Sequence, residues 1–227
     1  MIDKVKKEVE KLIKELDKKC SIEKFKEEIN WRYFSMKDEL SEDFIREFKN
    51  EIDWNNISWK QTLSEDFIKE FQNKIQWQFI SFSQKLSENF IRKFQDRVDW
   101  NNISEYQKLS EDFIREFRHK VNWHDISAFQ LLSEDFIKEF QDKVWWLDIS
   151  LCQKLSNNFI KEFKHKINWF HISKYQKLSE DFIREFKDNV NWYLIATYQA
   201  LSKDFIEEFK NKIDIKLYNE IHKIKIV

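Results

Sequence analysis

The feature that most constrains this chain is a period. Leu40, Leu63, Leu86, Leu109, Leu132, Leu155, Leu178 and Leu201 follow one another at intervals of 23 residues without insertion or deletion. Each opens one phrase, as in Leu63-Ser64-Glu65-Asp66-Phe67-Ile68-Lys69-Glu70-Phe71, and in all but the last copy a Trp follows: Trp54, Trp77, Trp100, Trp123, Trp146, Trp169 and Trp192, with Ile215 in the last. A degenerate earlier copy has Ile22, Phe25, Ile29, Trp31 and Phe34 in the same columns but lacks the Leu-Ser opening. A unit this short cannot close its own core, so neighbours must stack into a continuous one. The expected organisation is a capping helix at 1–16, a degenerate repeat at 17–39, eight full repeats over 40–223, and the end of a second capping helix at 224–227.

Within a repeat, with Leu as position 0, the apolar residues fall at 0, 4, 5, 8 and 12, one stripe of a 3.6-residue helix. This is helix A. The Ser at position 1 is its N-cap, Glu and Asp follow in the first turn, and Leu with the Ile at N4 makes a hydrophobic staple. Lys74, Arg97, Lys120, Lys143, Lys166 and Lys212 are expected in its last turn, where they oppose the negative end of the dipole. Helix B begins at the Trp. Asn30, Asp53, Asp99, Asn122, Asn168, Asn191 and Asp214 precede it as caps, with Gln76 and Trp145 as exceptions. The fold class read from this pattern is all-α, an α-solenoid of helix-turn-helix repeats with helical caps.

Composition removes several alternatives. There is no Gly and no Pro, which excludes Gly-rich phosphate loops, dinucleotide fingerprints and nucleophile elbows together. The net charge of -1 supplies no field to attract a nucleic-acid backbone or an anionic membrane. Cys20 and Cys152 make neither a disulfide framework nor a zinc set, and the histidines lack metal-ligand spacing, so no metal or cofactor is expected. The charged start has no apolar core of a signal peptide, and no stretch approaches the roughly 18 apolar residues of a membrane span. A soluble, cytoplasmic protein is the expectation.

Comparing the copies separates columns held by the fold from columns free to serve a partner. Counting from Trp, positions 0, 3 and 7 (Trp, Ile, Gln) scarcely change. The Trp column is read as structural, with Trp100→Ala expected to cost about 3–5 kcal/mol. The mostly aromatic position 6 (Tyr106, Phe129, Tyr175, Tyr198) is expected to pack inward. The Ser at position 4 reads as a small residue for close helix approach, and the Gln amide as a partner for backbone at the junction between units. Positions 1, 2 and 5 vary most, and at 100° per residue they lie at about 100°, 200° and 140°, opposite the core.

That variable stripe carries Trp59, Phe79, Phe82, Leu147, Leu151, Phe170, Tyr193 and Leu194, with Glu105, His124, Asp125, His171 and Lys174 among the polar members. Large apolar groups on a solvated face ask for a partner. The expected function is a non-enzymatic scaffold that binds a protein or peptide through helix B, as a monomer or with weak self-association. A structural or self-assembling array with no groove ligand is the alternative. A nucleic-acid reader is a third, opposed by a stripe whose one clear cation is Lys174.

The phrase Leu-Ser-Glu-Asp-Phe-Ile-Arg-Glu-Phe, closed by Val-Asp-Trp-Asn-Asn-Ile-Ser at Val98–Ser104, resembles the short Trp-containing tandem repeats of amoeba-infecting giant DNA viruses of the mimivirus kind. A surplus of Lys over Arg and only three Ala, a bias towards A/T-rich codons, is compatible with that. The resemblance implies a large repeat family directed at host proteins in the host cytoplasm, and transfers no chemistry to any residue.

Overall fold

The computed structural model describes residues 1–15, 19–37 and 39–222. Among them are 19 helices and no strand, arranged as an α-solenoid of 23-residue helix-turn-helix units. Leu16, Ile224 and the stretch 224–227 lie outside the described residues. The chain divides into two compact units, Met1–Leu109 and Ser110–Val227.

In the first unit the helix Asp3–Glu15 packs on Ile22–Glu28 and Glu42–Glu47, burying Val5, Val9 and Leu12. Ile2 stays exposed and Ile13 half-buried. Beyond it the B helices Trp54–Lys60, Trp77–Ser83 and Trp100–Tyr106 stack in series. In the second unit Trp123–Phe129, Trp146–Cys152, Trp169–Tyr175, Trp192–Tyr198 and Ile215–His222 stack the same way. Phe and Ile at positions 4 and 5 of helix A, with the Ile of helix B, form the core. Phe67, Ile68, Ile80, Phe136, Ile137 and Ile149 have no exposed surface, each contributing about 1.5–3 kcal/mol of burial.

Helix A is shorter than its apolar stripe suggests. It runs for six residues, as in Glu65–Glu70, and its Ser64 side chain accepts the N–H of Phe67 as expected of the cap. At Phe71 the backbone turns to φ -105°, ψ 23°, and one tight turn follows in which Lys74 and Ile75 both donate to the Phe71 carbonyl. Lys74 and its equivalents therefore sit in this turn, past the helix. The Trp77 indole N–H takes the carbonyl of Gln72, an orphan left where the helix ends. A bridge-region stop needs no left-handed residue, which is why the array does without glycine. The one positive φ among the described residues is at Glu39, before the first full repeat.

Within each unit, three side-chain columns bolt repeats to their neighbours. The Gln closing helix B reaches back: Gln84 accepts the Leu63 N–H at 2.9 Å and donates to the Gln61 carbonyl at 2.7 Å, and Gln176 treats Leu155 and Gln153 alike. The Ser at position 4 is a two-sided hydrogen-bonding residue as well as a small one. Ser81 donates to the Trp77 carbonyl at 2.7 Å and accepts the Asp99 N–H at 2.9 Å. The first Glu of helix A works forward, Glu180 accepting the N–H of the next repeat's cap, Ser202, at 2.6 Å. Glu8 does the same for Ser41, so the first helix stands in for a preceding helix A. In the final helix Tyr218 and His222 share the task of the missing Gln: the Tyr hydroxyl accepts the Leu201 N–H and the His ring meets the Ala196 carbonyl.

The cation in the turn after helix A covers the preceding repeat's Trp. Lys74 lies 5.7 Å from the Trp54 ring, Arg97 5.7 Å from Trp77, Lys166 5.6 Å from Trp146 and Lys212 5.3 Å from Trp192. Each Trp is half-buried, and within each unit it is pressed on the Phe rings of the next helix A, as Trp54 is on Phe71 at 4.9 Å and Trp146 on Phe163 at 5.0 Å.

Candidate binding face

The three variable columns of helix B do not share one environment. Position 1 faces solvent: Leu147, Phe170 and Tyr193 are 50%, 51% and 64% exposed, and His124 is exposed too. At position 5 Trp59 and Phe82 are exposed, while Glu105, Leu151 and Lys174 are half-buried. Position 2 is a different matter. Phe79, Asp125 and His171 are half-buried, and Leu194 is buried at 5% and so lies inside the array, off the open face.

Position 2 is turned towards the preceding helix B. Asn56 donates to the Arg32 carbonyl and Asn102 to the Gln78 carbonyl, each 24 residues back. Phe79 sits 6.3 Å from the Trp59 ring, and Asp148 lies 3.6 Å from the Nε2 of His124. The column varies because each residue must suit the one it meets. Wheel angles measured within one helix cannot show this, since they do not say where the neighbouring repeat stands.

The column read as inward packing is the one that faces out. Tyr106, Phe129, Tyr175 and Tyr198 at position 6 are 48% to 57% exposed. With positions 1 and 5 they form the ridge of helix B. The ridge is partly preassembled: Phe82 meets Tyr106 edge-on at 4.5 Å, and Lys60 lies 4.1 Å over Trp59. Lys174 sits between the Tyr175 and Tyr198 rings at 4.8 and 5.3 Å. Its hydrogen bond to Tyr175 raises the pKa of the ammonium.

His124 spans two carboxylates, Asp125 at 3.2 Å and Asp148 at 3.6 Å, with its ring edge-on to Trp145 at 5.0 Å. Cys152, at position 6 of the same helix as Asp148, is exposed. Its thiol pKa is pushed up by desolvation and then by the Asp148 charge, the reverse of what an attacking thiolate needs. The serine hydroxyls that could be read as nucleophiles are bound on both sides by backbone, as at Ser58, Ser81 and Ser150. What the ridge offers is contact area with charge beside it.

Helix A's outer side is occupied by the array itself. Arg46 reaches Glu70 in the next repeat at 2.8 Å, Arg115 reaches Glu139 at 2.7 Å and Arg184 reaches Glu208 at 2.9 Å. Among the described residues no helix is long and apolar enough to cross a membrane. The chain matches no family model, no curated protein and no solved structure, so its own geometry is what carries a functional reading.

Proposed function

We propose that this chain is a non-enzymatic repeat scaffold that binds a protein or peptide along the ridge of its B helices, at positions 1, 5 and 6. The observation that supports this is where the exposed large apolar residues fall. Between residues 40 and 201, Trp59, Phe82, Tyr106, Phe129, Leu147, Phe170, Tyr175, Tyr193 and Tyr198 lie on helix B, Leu131 and Trp145 lie directly beside it, and none lies on helix A. Side chains scattered at random over the surface would need no explanation; an apolar row confined to one face does. Aromatic groups are also what anchors a protein interface, because they bring large area at little entropic cost.

The test is capture from a nuclease-treated eukaryotic lysate by this chain and by a variant carrying Phe82→Ser, Tyr106→Ser, Phe170→Ser and Tyr175→Ser. Circular dichroism establishes that both are folded. A protein held by the original and released by the variant supports the reading. Identical profiles for the two overturn it and leave a structural or self-assembling role.

A further inference from the structure

Each compact unit carries an open cleft lined by the same repeat columns. In the first it lies between the turns after Phe82 and Tyr106, with a volume of about 500 Å³. In the second it lies between the turns after Leu151 and Tyr175, at about 390 Å³. An apolar wall comes from Phe82 and Leu86 in one and Leu151 and Leu155 in the other; the far wall is Tyr106 or Tyr175. Two lysines line each cleft, Lys85 with Lys108 and Lys154 with Lys177. No acidic residue lines either cleft.

These four lysines are exposed and form no ion pair among the described residues. Some other lysines of the array are taken up by neighbouring repeats, Lys138 by Glu162, Lys161 by Glu185 and Lys166 by Asp142; what sets these four apart is their place in pairs beside an apolar wall. A molecule of nearly balanced charge thus leaves pairs of cations unanswered beside an apolar wall, at one recurring place. The complement of that arrangement is a chain bearing carboxylates next to apolar side chains.

Single-stranded nucleic acid would also bring negative charge, but its bases need open aromatic faces on which to stack. Here the rings already have partners: Tyr106 and Phe82 meet edge-to-face at 4.5 Å, and Tyr175 has Lys174 at 4.8 Å and His171 stacked at 6.0 Å. A carboxylate asks only for the lysines, and its apolar neighbour only for the wall.

We propose that these clefts are the specificity-determining part of the helix B face, and that they take the side chains of an extended acidic peptide, its carboxylates between the paired lysines and its apolar residues against Phe82 and Leu151. This rests on the reading of the ridge as a protein-binding face and adds the chemistry of the partner.

The probe is a dye-labelled peptide of repeating Glu-Ser-Phe triplets, followed by fluorescence anisotropy with the full chain, beside its Glu→Gln counterpart and labelled oligo(dT). The acidic peptide should bind, weaken as salt is raised, and outcompete both others. Replacing Lys85, Lys108, Lys154 and Lys177 by Gln should weaken it about tenfold, as losing several exposed charge contacts would. Equal binding of the Gln peptide, or no effect of the four substitutions, overturns the acidic specificity. So does a chain that captures its lysate partner through the aromatic ridge yet ignores the acidic peptide, and in that case the ridge reading stands alone. Tighter binding of oligo(dT) overturns both.

Discussion

The side-chain oxygen of Gln84 accepts the backbone N–H of Leu63, which opens the same repeat, at 2.9 Å, while the amide nitrogen of the same Gln holds the carbonyl of Gln61, one repeat back. The residue does for the B-to-A turn what a glycine cap does elsewhere: it satisfies groups that the helix end leaves open. Gln84 is buried, so water cannot take over. Gln84→Leu should therefore cost about 2–4 kcal/mol, the penalty of leaving a buried donor and acceptor without partners. Urea unfolding measures it; a loss no larger than that of an exposed Thr62→Leu control would contradict the clamp.

Asn157 stands where most other repeats have Glu. It donates to the Ser179 hydroxyl at 3.0 Å, and its own Oδ1 is buried without a partner. Glu at the matching position of the next repeat takes the Ser202 N–H. Asn157→Glu is thus expected to raise stability by about 0.5–1 kcal/mol, by supplying an acceptor to the next helix cap and negative charge at a helix start. An unchanged or lower unfolding midpoint would argue against capping between repeats.

The ridge and the core are separable by stability. Phe170 is exposed and Phe67 has no exposed surface. Phe170→Ser should shift unfolding by less than about 0.5 kcal/mol, as surface changes do. Phe67→Ser should cost about 3–5 kcal/mol. Phe79, half-buried beside Trp59, should fall between them. If Phe170→Ser proved as damaging as Phe67→Ser, its ring would be serving the fold and no face would be free for a partner.

How far the sequence shows all this depends on the distance over which each interaction acts. The cap Ser64, the start of helix B at Trp77 and the buried Phe67 and Ile68 follow from spacing within one repeat, because a helix cap and an apolar stripe are local. The junction role of Gln84 is legible too, since a Gln held in seven of the eight full repeats of a chain without glycine must be answering backbone. What a single repeat hides is the direction of its neighbours. Phe79 and Leu194 look outward on a wheel, yet Phe79 meets Trp59 of the previous helix and Leu194 is buried; Tyr106 and Tyr175 look like core by their aromatic character and stand on the ridge. Nor does spacing show that Lys74 covers Trp54, because its charge suits a helix end equally well. The signal that could have placed the tyrosines was present: position 6 also holds Lys60, Ser83 and Cys152, a mixture no sealed core column would accept.

Cys152 offers a check on the interior of the second unit through its acidity. Its thiol is pushed above the ordinary cysteine range, first by desolvation and then by the Asp148 carboxylate one helical turn away. At a pH below the thiol's titration the reactive thiolate is scarcer than in an unhindered cysteine, and alkylation is correspondingly slow although the residue is exposed. Asp148→Asn removes the second cause and leaves the first. The alkylation rate of Cys152 should then rise at neutral pH, with the rate-against-pH curve displaced to lower pH, and the two proteins should converge once pH exceeds both thiol values. The substitution also removes the carboxylate that lies 3.6 Å from His124, so unfolding must be followed in parallel to separate reactivity from loosening of the helix. Peptide mapping after timed iodoacetamide treatment reads the rate site by site, with Cys20 in the other unit as the internal standard. A curve for Asp148→Asn that overlays the original, with stability unchanged, would mean that Asp148 does not act on the thiol and that burial alone sets its acidity.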